Sequence, residues 1–323
     1  MLSVEHSPTV SVITPAFNSA VYLAEAVDSV IAQSFADFEL LIVDDGSTDA
    51  TVSIARRLAE RDARVRVIAA RHAGVSAARN AAMRAARGGY LALLDSDDVW
   101  SRDFLAAQMA IFRDLAPVDV VTGNACNLGG PLDGQALHPV GPGPRWISLL
   151  DMIERESAVC IMSVFRRAVF ETIGGFDETL DRSEDYEFWI RAAAAGFQFV
   201  ENPKPLARYR RRADGASADD QQMLSGITCV LRRTRVLRAG CPAEIAAIDR
   251  QLARFERQQL LDRAKAHLLD GEYGPAADDF ETLSNLTRDF ASGVIAHVSR
   301  RAPGMLRWAY LARKRLREAP AGG

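Results

Sequence analysis

The stretch that decides the fold is residues 38–49, which read FELLIVDDGSTD. An apolar run from Phe38 to Val43 passes directly into two aspartates and a turn-forming glycine, which is typical of a buried strand that ends in a polar loop. The same order recurs on either side, because residues 10–18 read VSVITPAFN and residues 90–98 read YLALLDSDD. The chain therefore contains at least three strands whose C-terminal ends carry polar or turn-forming residues.

Segments with helical spacing separate these strands. Apolar residues recur at helical spacing between 21 and 31, further helical patterns cover about 51–61 and 76–87, and a short strand pattern lies at 65–68. Parallel neighbours in a sheet need a crossover connection, so this alternation predicts βαβ units. We expect a Rossmann-like α/β domain with a mainly parallel sheet flanked by helices, in which ligands bind outside the carboxyl ends of the strands.

The pattern changes twice further along the chain. Glycine and proline are frequent from 117 to 146, which predicts a loop-rich crossing, and strand and helix patterns resume between 160 and 210. Beyond about residue 219 only helical patterns remain. We therefore expect an α/β domain over residues 1–218 and a helical C-terminal region over residues 219–323.

Composition excludes several classes of function. The chain has 39 Lys and Arg against 42 Asp and Glu, a net charge of -3, and this balance argues against a protein that coats nucleic acid. The four cysteines lack CxxC spacing, which is typical of a reducing compartment without structural zinc. No signal-peptide pattern opens the sequence, and no apolar run approaches the roughly 18 residues of a membrane span. These features predict a cytoplasmic protein that does not span a membrane.

Carboxylates accumulate at the predicted strand ends. Asp44 and Asp45 follow one strand, and Asp95, Ser96 and Asp97 follow another. Like charges at one edge repel each other unless a cation or a donor-rich ligand compensates them, and a D-x-D segment offers the oxygen ligands that Mg²⁺ and Mn²⁺ prefer. Because such ions bridge carboxylates to phosphates, the pattern predicts a diphosphate ligand. The alternative is that these residues only form turns and helix caps.

Other phosphate and metal signatures are missing from the sequence. It has neither G-x-G-x-x-G after the first strand nor G-x-x-x-x-G-K-[ST], which argues against a dinucleotide dehydrogenase and a P-loop nucleotidase. None of the five histidines pairs with another at metal-ligand spacing, so each is predicted to be a surface or locally bonded residue.

Five motifs, in one order over about 200 residues, resemble those of the family 2 inverting glycosyltransferases of GT-A fold. The resemblance implies a nucleotide-diphosphate sugar as donor, Mn²⁺ or Mg²⁺ as cofactor, and transfer to a hydroxyl acceptor with inversion at the anomeric carbon. The motifs are VSVITPAFN (10–18), FELLIVDDGSTD (38–49), GVSAARN (74–80), LLDSDD (93–98), and GGFDE (174–178) followed by EDYEFW (184–189).

The same resemblance implies roles for individual residues. Asp185 is the expected base that takes the proton of the acceptor hydroxyl, with a helix N-terminal cap as the alternative for that residue. Asp97 is the expected principal ligand of the metal, and Asp95 is expected to approach the ribose and the metal. The expected nucleotide-sugar contacts are Pro15 and Phe17 beside the base, Asp45 hydrogen-bonded to it, Asp44 ordering the adjacent turn, Ser96 in the D-x-D segment, and Arg79 near the nucleotide or diphosphate.

The sequence departs from the family pattern after the predicted base. Many relatives have Tyr-Arg, a His two residues later, and two serines that flank one residue, whereas here Arg212 stands at the His position and Gly215 at the first Ser. An arginine contacts phosphate directly but cannot ligate a metal. The alternative is that residues 208–212 form a solvated strand edge.

The C-terminal region carries two further patterns. From Ala264 to Phe280 it resembles one tetratricopeptide-type helical hairpin. From Arg300 to Glu318 seven basic residues and one acidic residue alternate with apolar ones, Trp308 among them. A basic amphipathic helix of this kind suits peripheral contact with an anionic membrane surface. The alternative is a capping helix whose arginines face water.

With the resemblance, these features predict a metal-dependent inverting glycosyltransferase of hexosyltransferase type. It would move a sugar from a UDP-sugar to a glycan or lipid-linked acceptor in the synthesis of a cell-surface polysaccharide or glycolipid. The alternative is a catalytically silent scaffold that binds a nucleotide-sugar or glycan, which the Arg212 departure and the helical tail would fit. The carboxylates of Asp97 and Asp185 favour the enzyme. A sugar nucleotidyltransferase is disfavoured, because the Gly-rich loop expected after the first strand is missing.

Overall fold

The chain folds into two compact units, Met1–Ile245 and Ala246–Gly323. The computed structural model describes residues 7–212, 215, 220–287 and 290–318. The strands named below all belong to the first unit.

The first half of this unit alternates strands and helices, as the sequence predicts. All residues of its first two strands are buried, which explains why their sequences are mostly apolar and do not alternate regularly between apolar and polar residues. In chain order the elements are β1 (Val10–Ala16), α1 (Leu23–Ile31), β2 (Phe38–Asp45), α2 (Thr51–Arg61), β3 (Val65–Ala70), α3 (Val75–Ala85) and β4 (Tyr90–Leu93).

The second half of the unit has helices of more varied length, from 6 to 18 residues. Its elements are β5 (Val99–Trp100), α4 (Phe104–Asp114), β6 (Val120–Leu128), β7 (Arg145–Ile147), α5 (Leu149–Glu154), β8 (Ser163–Arg166), α6 (Arg167–Ile173), α7 (Glu184–Ala194), β9 (Phe199–Arg210) and α8 (Asp220–Leu237).

One nine-stranded sheet runs through the unit in the order β3-β2-β1-β4-β8-β6-β9-β5, and β7 pairs with β9. The strands β1 to β4 are parallel, with Val12 opposite both Leu40 and Ala92. Their carboxyl ends therefore meet at one edge, which brings Ala16, Asp45 and the residues after Leu93 together. The α/β class and the flanking helices are confirmed.

The sheet is mixed beyond β4, which corrects the expectation that it is mainly parallel. Strand β8 runs antiparallel to both β4 and β6, and β5 and β7 run antiparallel to β9. Only loops, the three-residue strand β7 and the short helix α5 lie between β6 and β8. A chain without a full crossover helix returns antiparallel, so the loop-rich region 117–146 already carried this information.

Strand β9 is one continuous element, whereas the sequence predicts two short strands near 197–201 and 206–210. It pairs in parallel with β6, and the register shifts around Asn124. The Asn124 side chain donates to the carbonyls of His138 and Pro203, both at 3.0 Å, and so bridges the irregular stretch. Tertiary pairing therefore carries β9 across a proline-containing segment that local propensity would break.

Helices alone form the second unit within the described residues. Its elements are the C-terminal part of α9 (Pro242–Asp270), α10 (Tyr273–Thr287), α11 (Phe290–Arg301) and α12 (Pro303–Glu318). Ala264 and Phe280 of the predicted hairpin lie in a small core with Leu260, Leu283 and Ala296. The helical C-terminal region is thus confirmed. Helix α8 belongs to the first unit, and the functional boundary at residue 218 stays a prediction.

Helix α12 carries exposed apolar side chains, because Met305 is 63% and Trp308 is 72% exposed. The side chains of Arg313, Lys314, Arg315 and Arg317, on which the membrane-surface prediction also rests, lie outside the described residues. Among the described helices, none combines the length and the apolar character needed to cross a membrane. The four cysteines are unpaired and half-buried.

Candidate active site

A cavity of about 780 Å³ opens at the carboxyl ends of β1, β2 and β4. Its wall contains six of the nine residues that the sequence analysis singles out: Pro15, Phe17, Asp45, Asp95, Ser96 and Asp97. The other three, Asp44, Arg79 and Asp185, lie behind or beside that wall. Segments before α7 and after β9 complete the cavity, so it draws on both halves of the sheet.

Asp45 organises one end of the cavity. Its carboxylate accepts hydrogen bonds from the backbone N–H groups of Ala73, at 2.8 Å, and Gly74, at 2.9 Å, and contacts Nδ1 of His72 at 2.8 Å. The His72 ring stacks on Phe17, with 4.2 Å between ring centroids. Phe17 is 44% exposed and presents an aromatic face to the cavity. This end suits a flat, aromatic ligand group.

His72 is a site residue that the sequence analysis treats only as a surface or locally bonded histidine. It is locally bonded, as expected, but it also lines the cavity. Its position after β3 is the one signal that points to it, since this strand also ends at the ligand-binding edge. Asp44 lies one layer below and accepts a hydrogen bond from the Ser47 backbone at 3.3 Å. That contact lies in the turn after β2, which is the turn that Asp44 is expected to order.

The D-x-D segment lies at the centre of the cavity. Ser96 Oγ is 2.8 Å from Ser19 Oγ, which ties the segment to the loop after β1. Asp95 accepts a hydrogen bond from Arg79 at 2.7 Å, and Asp97 from Arg212 at 3.2 Å. Burial and the neighbouring Asp95 carboxylate raise the pKa of Asp97, and Arg212 opposes them. The two carboxylates are therefore crowded, and each is matched with an arginine.

The donor set at this segment fits a divalent cation of the Mg²⁺ or Mn²⁺ type. Asp95 and Asp97 offer carboxylate oxygens, and the mutual repulsion that raises the pKa of Asp97 is what a cation relieves. Across the described part of the chain, no cluster of three or more His, Cys, Asp or Glu side chains is built to hold a metal. A cation here would therefore take further oxygen ligands from water and from a bound phosphate.

Arg79 forms a buried bridge behind the cavity wall. Its guanidinium donates to Asp95 and to Glu184 of α7, both at 2.7 Å, and its side chain is 3% exposed. Burial alone would lower the pKa of Arg79, but the two carboxylates raise it above its ordinary value, so the group stays charged. The structure thus places this arginine between the D-x-D segment and α7, and its expected position near the nucleotide or diphosphate stays a prediction.

Asp185 lies in the first turn of α7, directly after Glu184. It is half-buried, and one of its carboxylate oxygens accepts a hydrogen bond from the Tyr186 backbone at 2.8 Å. Burial and the adjacent Glu184 carboxylate raise the pKa of Asp185 to about 7, while Arg79 opposes the shift. A carboxylate with a pKa near neutrality can accept a proton and release it again at physiological pH.

The end of β9 supports the aspartate-rich turn. Arg210 donates from its backbone to Asp98 and from its side chain to the carbonyl of Asp97, both at 2.8 Å. The guanidinium groups of Arg210 and Arg212 both lie over the Tyr22 ring, at 4.8 and 4.9 Å. The interpretation of residues 208–212 as a solvated strand edge therefore holds for Arg208, which is exposed, and fails for these two arginines.

Solved structures with a similar fold point to one class of protein. A structure of Staphylococcus aureus TarS, residues 1–349, in complex with UDP-GlcNAc has a TM-score of 0.64 at 21% identity and covers 94% of this chain and 92% of its own. A mannosyltransferase of Pyrobaculum calidifontis in complex with GDP-Man and Mn²⁺ has a TM-score of 0.60 at 20% identity and covers 94% and 87%. Sheet, cavity and these neighbours define an α/β protein of GT-A type.

Sequence comparison identifies the family. The model of "Glycosyl transferase family 2" matches residues 11–174, about half of the chain. A putative teichuronic acid biosynthesis glycosyltransferase of Bacillus subtilis, TuaG, is 32% identical over 207 residues, which are 63% of this chain and 79% of that protein. A chondroitin synthase of Escherichia coli is 30% identical over 58% of this chain and only 27% of its own length. The chain belongs to glycosyl transferase family 2 and is a glycosyltransferase of the inverting type.

Proposed function

We propose that this protein transfers a hexosyl unit from a UDP-sugar to a hydroxyl group of a glycan or lipid-linked acceptor, with Mn²⁺ or Mg²⁺ as cofactor. The observation that carries the proposal is the cavity of about 780 Å³, because one wall joins an aromatic and carboxylate end to the D-x-D segment. The two ends suit the base and the diphosphate of one nucleotide ligand.

The base of the donor would lie at the Phe17 end. Phe17 is stacked on His72 and offers its other face, and base–aromatic stacking contributes about 1–3 kcal/mol per base. Asp45 is held by two backbone N–H groups with its carboxylate in the wall, where it can accept a hydrogen bond from a ring N–H of the base. Pro15 lines the same end.

The diphosphate would lie at the D-x-D end, where Asp97 and Asp95 hold the cofactor. When bound, the cation supplies positive charge beside the phosphate oxygens that become more negative as the nucleoside diphosphate leaves. The chain's own contribution is to fix the segment that holds it. Ser96 is tied to Ser19, and Arg210 binds the carbonyl of Asp97, so the turn is ordered before any ligand arrives.

Asp185 is the proposed base for the acceptor. Its carboxylate takes the proton of the acceptor hydroxyl, the hydroxyl oxygen forms a bond to the anomeric carbon, and the bond from that carbon to the diphosphate oxygen breaks. Attack opposite the leaving group inverts the anomeric configuration, which agrees with the family. The raised pKa of Asp185, about 7, supports this role, because a stronger base removes the proton more readily.

The acceptor and the cellular setting rest on the relatives. TuaG is named for teichuronic acid biosynthesis and the other relative is named a chondroitin synthase, so both names refer to the synthesis of a polysaccharide. We extend that setting to this chain, at the cytoplasmic face of a membrane. The exposed Met305 and Trp308 of α12, beside the exposed Arg307, support peripheral contact with anionic lipid.

A panel of nucleotide-sugars tests the proposal. Purified protein is incubated with each donor and either Mn²⁺ or EDTA, and free nucleoside diphosphate is measured together with mass-spectrometric detection of a glycosylated acceptor. We expect release from one donor with Mn²⁺ and a large loss of release in Asp97→Ala. Nucleotide binding without turnover on any acceptor would support the scaffold alternative, and equal rates for wild type and Asp97→Ala would refute the metal assignment.

A further inference from the structure

Arg212 stands on the cavity wall and pairs with the carboxylate expected to hold the metal. Its guanidinium nitrogen is 3.2 Å from Oδ2 of Asp97. The side chains of Arg212 and Asp97 are 22% and 23% exposed, so solvent and ligands reach both partners. This pair therefore differs from the Arg79 bridge, in which the Asp95 carboxylate is 28% exposed and faces the cavity but the arginine itself is only 3% exposed.

The backbone at the end of β9 directs this side chain into the cavity. Arg211, its neighbour, points elsewhere, because its guanidinium donates to Asn127 Oδ1 at 2.8 Å and lies over the Tyr209 ring. Arg212 instead lies over Tyr22 and contacts Asp97. Two adjacent arginines thus have the same chemistry and different surroundings, and only Arg212 lines the cavity.

Charge and geometry give Arg212 two competing partners. A guanidinium binds a carboxylate or a phosphate through the same N–H groups, and the pairing with phosphate is often bidentate. A diphosphate in this cavity brings several phosphate oxygens close to the guanidinium that pairs with the Asp97 carboxylate. A cation at Asp97 needs that same carboxylate, so the metal and Arg212 compete for it.

We propose that the guanidinium of Arg212 binds the donor diphosphate and that Arg212 and the divalent metal compete for the Asp97 carboxylate. The inference deepens the proposed function and rests on it. Without metal, Arg212 neutralises Asp97 and leaves the wall able to accept an anion. With metal on Asp97, Arg212 turns from the carboxylate to the diphosphate. Nucleoside diphosphate binding therefore persists without metal, and metal binding on its own is weakened by the ion pair.

Binding measurements on the full chain test this inference without any use of turnover. Isothermal titration calorimetry is carried out with UDP in EDTA, with uridine in EDTA, and with Mn²⁺ alone, on wild type, Arg212→Gln and the matched control Arg211→Gln. We expect Arg212→Gln to bind UDP in EDTA about tenfold more weakly than wild type, because one charge-assisted contact is lost. Uridine binding is unchanged, and Mn²⁺ alone binds several-fold more tightly. Arg211→Gln behaves as wild type in all three titrations.

A second variant keeps the test informative if Arg212→Gln fails to fold, which its thermal unfolding curve reveals. Asp97→Asn removes the competing carboxylate and so should bind Mn²⁺ poorly while binding UDP in EDTA at least as tightly as wild type. The inference is overturned if Arg212→Gln binds UDP in EDTA like wild type, if its affinity for Mn²⁺ does not rise, or if Asp97→Asn loses UDP binding in EDTA. Failure of wild type to bind any nucleoside diphosphate, with or without metal, would instead refute the proposed function.

Discussion

The two aspartates of the D-x-D segment, Asp95 and Asp97, pair with arginines that differ in burial. Asp95 pairs with Arg79, whose side chain is 3% exposed, and Asp97 pairs with Arg212, whose side chain is 22% exposed. The Asp95–Arg79 pair is the inner pair, and Arg79 also binds Glu184, which precedes Asp185 in the first turn of α7. The Asp97–Arg212 pair is the outer pair, and both of its residues line the cavity. Both carboxylates therefore face the cavity, whereas burial separates the two arginines: Arg79 supports the wall and Arg212 is open to a ligand.

The inner pair lies next to Asp185, the proposed base, because Arg79 also binds Glu184. The variant Asp185→Asn tests the proposed proton transfer, and its expected effect is the largest. An amide of the same shape cannot take the acceptor proton, so transfer should fall by about 10²–10⁴-fold, the usual range for loss of a general base. Nucleotide affinity, which belongs to the outer pair, should stay near the wild-type value. Transfer is measured with saturating donor, and UDP binding by calorimetry. Transfer at the wild-type rate would remove Asp185 from the mechanism.

The contrast in burial predicts unequal effects on stability. Arg79→Met leaves the Glu184 carboxylate, which is 13% exposed, and the Asp95 carboxylate, which is 28% exposed, without their shared buried cation. Breaking a fully buried pair costs about 3–5 kcal/mol, and we expect a loss at the lower end of that range because solvent reaches Asp95. The matched change Arg212→Met breaks a solvent-accessible pair and should cost at most about 1 kcal/mol. Both free energies of unfolding are measured by urea denaturation of the full chain. Equal losses for the two variants would contradict the division into an inner and an outer pair.

The smallest effect is a shift in the pH profile. Burial and the Glu184 carboxylate raise the pKa of Asp185 to about 7, and the protonated form cannot accept the acceptor proton. Transfer should therefore decline as pH falls through about 7. In Glu184→Gln the neighbouring negative charge is gone and Arg79 keeps its positive charge, so the pKa of Asp185 falls and the decline moves to lower pH. The profile of kcat/KM from pH 5 to 9 checks this, and a shift toward higher pH would disprove the coupling.

The parallel half of the fold could be predicted from particular residues. The strands β1 and β2 are buried along their whole length, and residues at or just after their C-terminal ends, such as Asp45 and Phe17, meet at one edge. Local sequence is sufficient here, because a parallel strand order forces the carboxyl ends together. The mixed half could not be predicted in the same way. The strand β9 depends on pairing with β6 across a register shift, and local propensity contains no such information.

The candidate site shows the same difference between what the sequence could predict and what it could not. Six of the candidate residues lie on the cavity wall, because each is at or near the C-terminal end of a parallel strand, and their roles stay predictions. The sequence did not predict that Glu184 is a partner of Arg79, because that contact depends on where α7 packs against α3. It also missed His72, whose role arises from contacts with Asp45 and Phe17 across two loops.

The sequence by itself determined that carboxylates gather at the ends of parallel strands and that their order resembles one family of transferases. Those conclusions follow from periodicity and from motifs, which are local properties of the chain. Only the tertiary structure decided which arginine pairs with which carboxylate. Arg79 and Arg212 lie 16 and 115 positions from their aspartate partners, and the exposure of each pair depends on packing between distant elements. Burial, a property of the folded chain alone, therefore separates the arginine that supports the wall from the arginine that a ligand can reach.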